Sequence, residues 1–158
     1  MVRVAVVIRR GILFIAFVVT GCAERDSSHL EAIGSTNAEV ALLCQALAMN
    51  YLDLLDFPRD QMQFEERLTN PANGLLRREV LSDGWKRPIR YAWNNPLSVT
   101  VWSTGEVPTN YSKPISCDLL VDPQKQTIVE TRKNEYSSKT ISTTRQFSDY
   151  PKTEKKGL

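Results

Sequence analysis

The stretch DGWKRPIRY, Asp83 to Tyr91, divides the chain into two halves of different periodicity. Asp83-Gly84 is a turn dipeptide, and glycine supplies a backbone angle that other residues resist. Trp85 sets a large ring at the junction. Pro88 has no N–H to give to a ladder, so it belongs at the start of a strand. Before this string the apolar residues recur at helical spacing; after it they alternate.

Upstream, Val40, Leu43, Cys44, Leu47, Tyr51, Leu54 and Leu55 predict one amphipathic helix from an Asn37 N-cap to about Asp56. Phe57-Pro58 ends it. A second short helix is expected over Arg59–Leu68, with Met62, Phe64 and Leu68 as anchors. Asn70 to Gly74 is a loop, and Leu75 to Leu81 is a helical turn or an extended edge. Downstream, Ile89–Trp93 and Leu97–Trp102 read as a hairpin around Asn94-Asn95-Pro96. Two further strands, Ser116–Val121 and Gln126–Thr131, flank a turn at Asp122–Lys125. One long helix can bury its stripe only against a sheet face. The expected fold is therefore α+β in two layers, an N-terminal helix packed on a small antiparallel sheet.

The flanks are polar. Cys22–Thr36 reads as a tether, with His29, the single histidine, as a solvated residue within it. Residues 133–158 carry six basic and three acidic side chains and read as a disordered tail, with a weak strand over Thr140–Phe147 as the alternative. The expected organisation is residues 1–21, a tether over 22–36, a domain over 37–132 and a tail over 133–158.

Arg3, Arg9 and Arg10 precede an apolar run, Gly11–Val19, that is shorter than the about 20 residues a membrane span needs. Val19-Thr20-Gly21-Cys22 then resembles the lipobox of bacterial lipoproteins. The resemblance implies cleavage of a signal peptide over 1–21 and acylation of Cys22. Ala23 in place of aspartate implies the outer membrane, facing the periplasm. Removing 1–21 takes away three arginines and no acids, so Lys plus Arg falls from 20 to 17 against 18 acids, and the net charge from +2 to −1. Nucleic acid is not an expected partner. Cys44 and Cys117 remain. An oxidising compartment permits a disulfide between them, and two unpaired buried thiols are the alternative.

Asp83, Gly84, Trp85, Pro88, Ile89 and Tyr91, followed by Val101, Trp102, Ser103 and Gly105, are similar to two sequence blocks in the C-terminal domain of type II secretion major pseudopilins. The resemblance covers roughly Asn37 to Glu106. It implies a pseudopilin-like fold and a protein partner in secretion or pilus-like machinery. Two departures follow. Pseudopilins keep their apolar N-terminal helix to build a filament, whereas the lipobox implies its removal here. Their calcium loop carries an aspartate followed by glycine, and this chain has Glu106-Val107-Pro108, leaving Asp118 and Asp122 as the compensating carboxylates. No cofactor is expected, and calcium and other metals are not expected.

A Ser-His-Asp or Cys-His arrangement needs a histidine outside the tether. The carboxylate pairs Asp53/Asp56 and Glu65/Glu66 fit a solvated helix face, and no phosphate-binding glycine loop is present. Lys152, Lys155 and Lys156 fit a solubilising tail. Two functions remain. The first is a non-enzymatic, lipid-anchored interaction protein of the envelope. The second is a binding module for a small ligand or polymer that stacks on Tyr91, Trp93 and Trp102.

Overall fold

The structure is a computed structural model that describes the side chains of residues 27–70, 76–106 and 113–150. The signal peptide expected over 1–21, and Cys22, lie outside the described residues. The first helix, α1 (Val2–Leu54), is described from Ser27 onward. Its buried stripe includes Val40, Leu43, Cys44, Leu47 and Tyr51, which recur at i, i+3, i+4, i+7 and i+11. The stripe extends back through Thr36 and Ala32, which are also buried. The polar stretch over 27–36 is therefore helix and not tether, and Asn37 is an interior helical residue rather than an N-cap. At the other end Leu55 is left-handed, with φ 54°. The chain leaves the helix there, so Leu54 and Leu55 fall off the stripe and are exposed.

Phe57 is buried against Tyr51, with ring centroids 4.7 Å apart. The second helix, α2 (Gln61–Thr69), is capped by Asp60, whose side chain accepts from the backbone N–H of Gln63 at 2.8 Å. Phe64 and Leu68 anchor it as expected, while Met62 points to solvent. A 3₁₀ turn at Arg78–Leu81 leads to the junction.

Five strands follow: β1 (Arg90–Asn95), β2 (Ser98–Ser103), β3 (Ile115–Asp122), β4 (Thr127–Asn134) and β5 (Lys139–Gln146). They form one antiparallel meander in the order β1-β2-β3-β4-β5. The register aligns Tyr91, Val101 and Cys117 on one face, and Trp93, Val99 and Leu119 beside them. That face carries α1. Each large aliphatic side chain removed from water there contributes about 1.5–3 kcal/mol. Cys44 of α1 is bonded to Cys117 of β3, with Cα atoms 6.4 Å apart.

β5 overturns the expected end of the domain at residue 132. Thr140, Ile141, Thr143 and Thr144 form a β-branched run whose propensity competes with its polar composition. The four-residue loop Glu135–Ser138 returns the chain: Asn134 Oδ1 accepts from Ser137 N at 3.3 Å, and Ser138 is left-handed with φ 51°. Lys139 then pairs with Asn134 and the ladder runs to Gln146–Thr127. Beyond it Tyr150 is 5% exposed and belongs to the core.

A chain ended at Arg132 is therefore expected to lose cooperative urea unfolding. Tyr150→Ala should cost about 3 kcal/mol, read as a lower urea midpoint, because it empties a core position. A truncated chain as stable as the full one would place β5 and Tyr150 outside the folded unit.

Candidate functional site

Asp83 is 1% exposed and gathers three donors. Its Oδ1 accepts from the backbone N–H of Trp85 at 3.0 Å and of Arg87 at 2.9 Å. Its Oδ2 accepts from the Ser103 hydroxyl at 2.6 Å. Ser103 Oγ in turn accepts from Gly105 N at 3.0 Å, and the Arg87 guanidinium donates to the Gly105 carbonyl. A buried carboxylate is tolerated when every oxygen is engaged in this way. The two sequence blocks, Asp83–Tyr91 and Val101–Gly105, thus meet in one hydrogen-bonded knot.

Gly84 has a different role from the one expected. Its φ is not positive; the left-handed residue of this turn is Lys86, at φ 61°. Gly84 is needed because α1 comes close. A Cβ there would stand 2.3 Å from the Ala32 carbonyl oxygen. Thr36 completes the contact, donating to Ala32 O at 2.7 Å and accepting from Gly84 N at 2.8 Å. Gly105, at φ 73°, is the glycine that needs its conformational freedom, and it also makes room for Tyr136 Oη.

Against this knot stands a cluster that the sequence did not suggest. The His29 ring lies 5.9 Å from Trp85 and 5.6 Å, edge-on, from Tyr136. Trp85 and Tyr136 are 5.8 Å apart. His29 Nδ1 is 3.3 Å from Glu106 Oε2, and Glu106 N donates to Tyr136 Oη at 3.2 Å. His29 is thus a packed residue of α1 rather than a solvated tether residue. It faces a carboxylate and two rings, which suits a clamp between helix and loops. Tyr136 sits alone in polar sequence, so no periodic pattern marked it.

The remaining candidates are dispersed. Pro88 is exposed and leads into β1, with Ile89 N donating to Leu81 O at 2.8 Å. Tyr91 is buried and stacked on Phe64, with centroids 4.7 Å apart and planes 9° apart. Its hydroxyl donates to Pro58 O at 2.5 Å, and burial holds its pKa well above the usual phenol range. Trp93 is half-buried under the Arg59 guanidinium, 4.9 Å from the ring centroid. Trp102 pairs with Arg90 and so lies on the opposite sheet face, with Lys113 Nζ 4.3 Å above it. Tyr91, Trp93 and Trp102 do not form one stacking surface.

The acids are engaged locally. Asp56 pairs with Arg59 at 3.2 Å and with Arg67 at 3.4 Å, and Glu65 accepts from the Gln61 amide at 2.8 Å. Asp118 accepts from the Thr100 hydroxyl at 2.8 Å and pairs with Lys133 at 3.4 Å. Asp122 accepts from Gln124 N and Lys125 N, both at 3.1 Å, and the Lys125 backbone bond leads in holding its pKa below the usual carboxylate value. Cys44, Cys117 and buried Glu130 place ligand-type atoms within 4.8 Å of one another. With the sulfurs bonded to each other, neither offers a metal a thiolate. Among the described residues no helix is long and apolar enough to cross a membrane.

The chain matches no known family model, no curated protein and no solved structure.

The two helix-side glycine positions give a paired expectation. Gly84→Ala should destabilise by about 1–3 kcal/mol, because the new Cβ overlaps Ala32. Gly34, in α1, has nothing within 4 Å of an added Cβ. Gly34→Ala should gain up to about 1 kcal/mol from helix propensity alone. Urea midpoints check both; a neutral Gly84→Ala would remove the close approach of α1 to the junction.

Proposed function

We propose that the chain is a non-enzymatic, lipid-anchored protein of the bacterial cell envelope that docks a protein partner. Acyl chains on Cys22 would hold it to the periplasmic face of the outer membrane, each buried CH₂ adding about 0.8 kcal/mol. The observation that carries this reading is the Cys44–Cys117 bond. Structural disulfides persist in oxidising compartments, which is where a lipobox sends its protein. The Asp83–Ser103–Gly105 knot supports a recognition scaffold, because it spends the polar groups of both sequence blocks on architecture. The resemblance of those blocks to the type II secretion pseudopilin suggests an accessory role beside such a machine, in the manner of a tethered docking partner and without filament assembly. The dispersal of Tyr91, Trp93 and Trp102 removes the support for a ligand module built on them.

Cells expressing the full chain should incorporate labelled palmitate into it, and Cys22→Ser should abolish the label and leave the precursor uncleaved. A wild-type chain that is processed without label contradicts the anchored role.

A further inference from the structure

The sheet has two edges, and they are finished differently. At β1 the Gln61 side-chain amide stands where a neighbouring strand would. Its Oε1 accepts from Tyr91 N at 2.8 Å and its Nε2 donates to Ile89 O at 3.1 Å. At the β5 edge Asp149 Oδ2 accepts from the terminal Gln146 N at 2.8 Å, but the stretch Lys139–Arg145 has no such cap among the described residues, and the strand is mostly exposed. A long edge without a cover is a template for another strand.

The face of β5 is unfinished as well. Lys139, Ile141, Thr143 and Arg145 pair with Asn134, Arg132, Glu130 and Ile128, so they share the face on which α1 lies. The helix packs chiefly on β3, β2 and β4. Ile141 is left 51% exposed. The row is cationic: Lys139 and Arg145 flank Ile141, Arg132 lies opposite it, and β5 holds no acid. Glu130, the acid on this face of β4, is buried and pairs with Arg132 at 3.0 Å.

We propose that β5 accepts an extended segment of an acidic partner by strand addition. The register defines the segment. Antiparallel to β5, it carries an acid opposite Arg145, a small polar residue opposite Thr143, an aliphatic residue opposite Ile141 and an acid opposite Lys139. Read forwards this is acid-x-Thr-x-aliphatic-x-acid. Main-chain bonds to the edge supply affinity, and alternate side chains supply selectivity. A second copy of this chain is the poorer occupant. Antiparallel self-pairing about Ser142 sets Lys139 against Arg145, and like charges directly opposite destabilise a ladder. This site gives the docking role a location and partner chemistry, and it does not depend on the lipid.

The test uses the purified full chain in detergent micelles. A fluorescein-labelled, end-blocked peptide, Glu-Thr-Thr-Thr-Ile-Thr-Glu, is titrated by anisotropy. Saturable binding is expected. It should weaken by about tenfold or more with Ile141→Glu and with Lys139→Glu plus Arg145→Glu. The charge-reversed pair should prefer the peptide with lysine in place of both glutamates. Leu120, exposed on the opposite face, is the control, and Leu120→Glu should leave binding unchanged. No saturation at millimolar peptide, or equal loss with Leu120→Glu, overturns the proposal. Self-association of the chain that Ile141→Glu abolishes overturns it in favour of a second copy. A failed titration leaves the palmitate result standing, and an unlabelled chain leaves the titration standing.

Discussion

An α-helix with its side chains is about 10–12 Å across, and strands are spaced about 4.8 Å apart. One helix therefore covers two or three strands, and this sheet has five. Much of the structure is a response to that shortfall. α1 sits over β2 and β3, where Val99, Val101, Cys117 and Leu119 meet its stripe. β1 gets a helix of its own: α2 stacks Phe64 on Tyr91 and turns Gln61 along the edge. On the far side the chain folds back after β5 and buries Tyr150, whose ring lies 5.8 Å from the Arg145 guanidinium while Ile141 stays exposed. The open edge follows from the width of the helix as much as from the composition of the strand.

A helix that must sit over a fixed pair of strands needs its position held. Two contacts do this, far apart along α1. Cys44 is bonded to β3, and Gly84 lets the backbone of the junction approach Ala32. Between them the apolar stripe contributes most of the free energy, while the two contacts set the seat. The Asp83 knot then ties the junction to the end of β2 through Ser103. Asp83, Gly84, Ser103 and Gly105 thus help to fix the helix against the sheet.

The sequence exposed much of this. The stripe from Val40 to Tyr51 and the alternation in the strands reported their partners directly, because each apolar side chain had a face to bury. The first hairpin was legible, although its turn is Pro96-Leu97 rather than Asn94–Pro96, with Asn95 Oδ1 accepting from Leu97 N, and the Asp122–Lys125 turn carried the residue types that such turns require. Three things were hidden. Ala32 and Thr36 continue the stripe, but alanine and threonine amid serines read as linker. β5 is stabilised by pairing to β4 rather than by apolar burial, so its composition resembled a solvated tail. The clamp of His29, Trp85, Tyr136 and Glu106 joins positions distant in sequence, which no local pattern records. The tryptophans misled for a further reason. Trp93 and Trp102 belong to adjacent strands, and only the register shows that they point to opposite faces.

The seat of α1 on the sheet is the central claim, and the Cys44–Cys117 bond is its most direct witness. The full chain, purified without reductant and with free thiols blocked, is digested and analysed by mass spectrometry. The account predicts one species in which the peptide holding Cys44 is joined to the peptide holding Cys117, and which separates into two on reduction. Recovery of both cysteines as blocked free thiols would contradict it and would leave the helix without its covalent hold on β3.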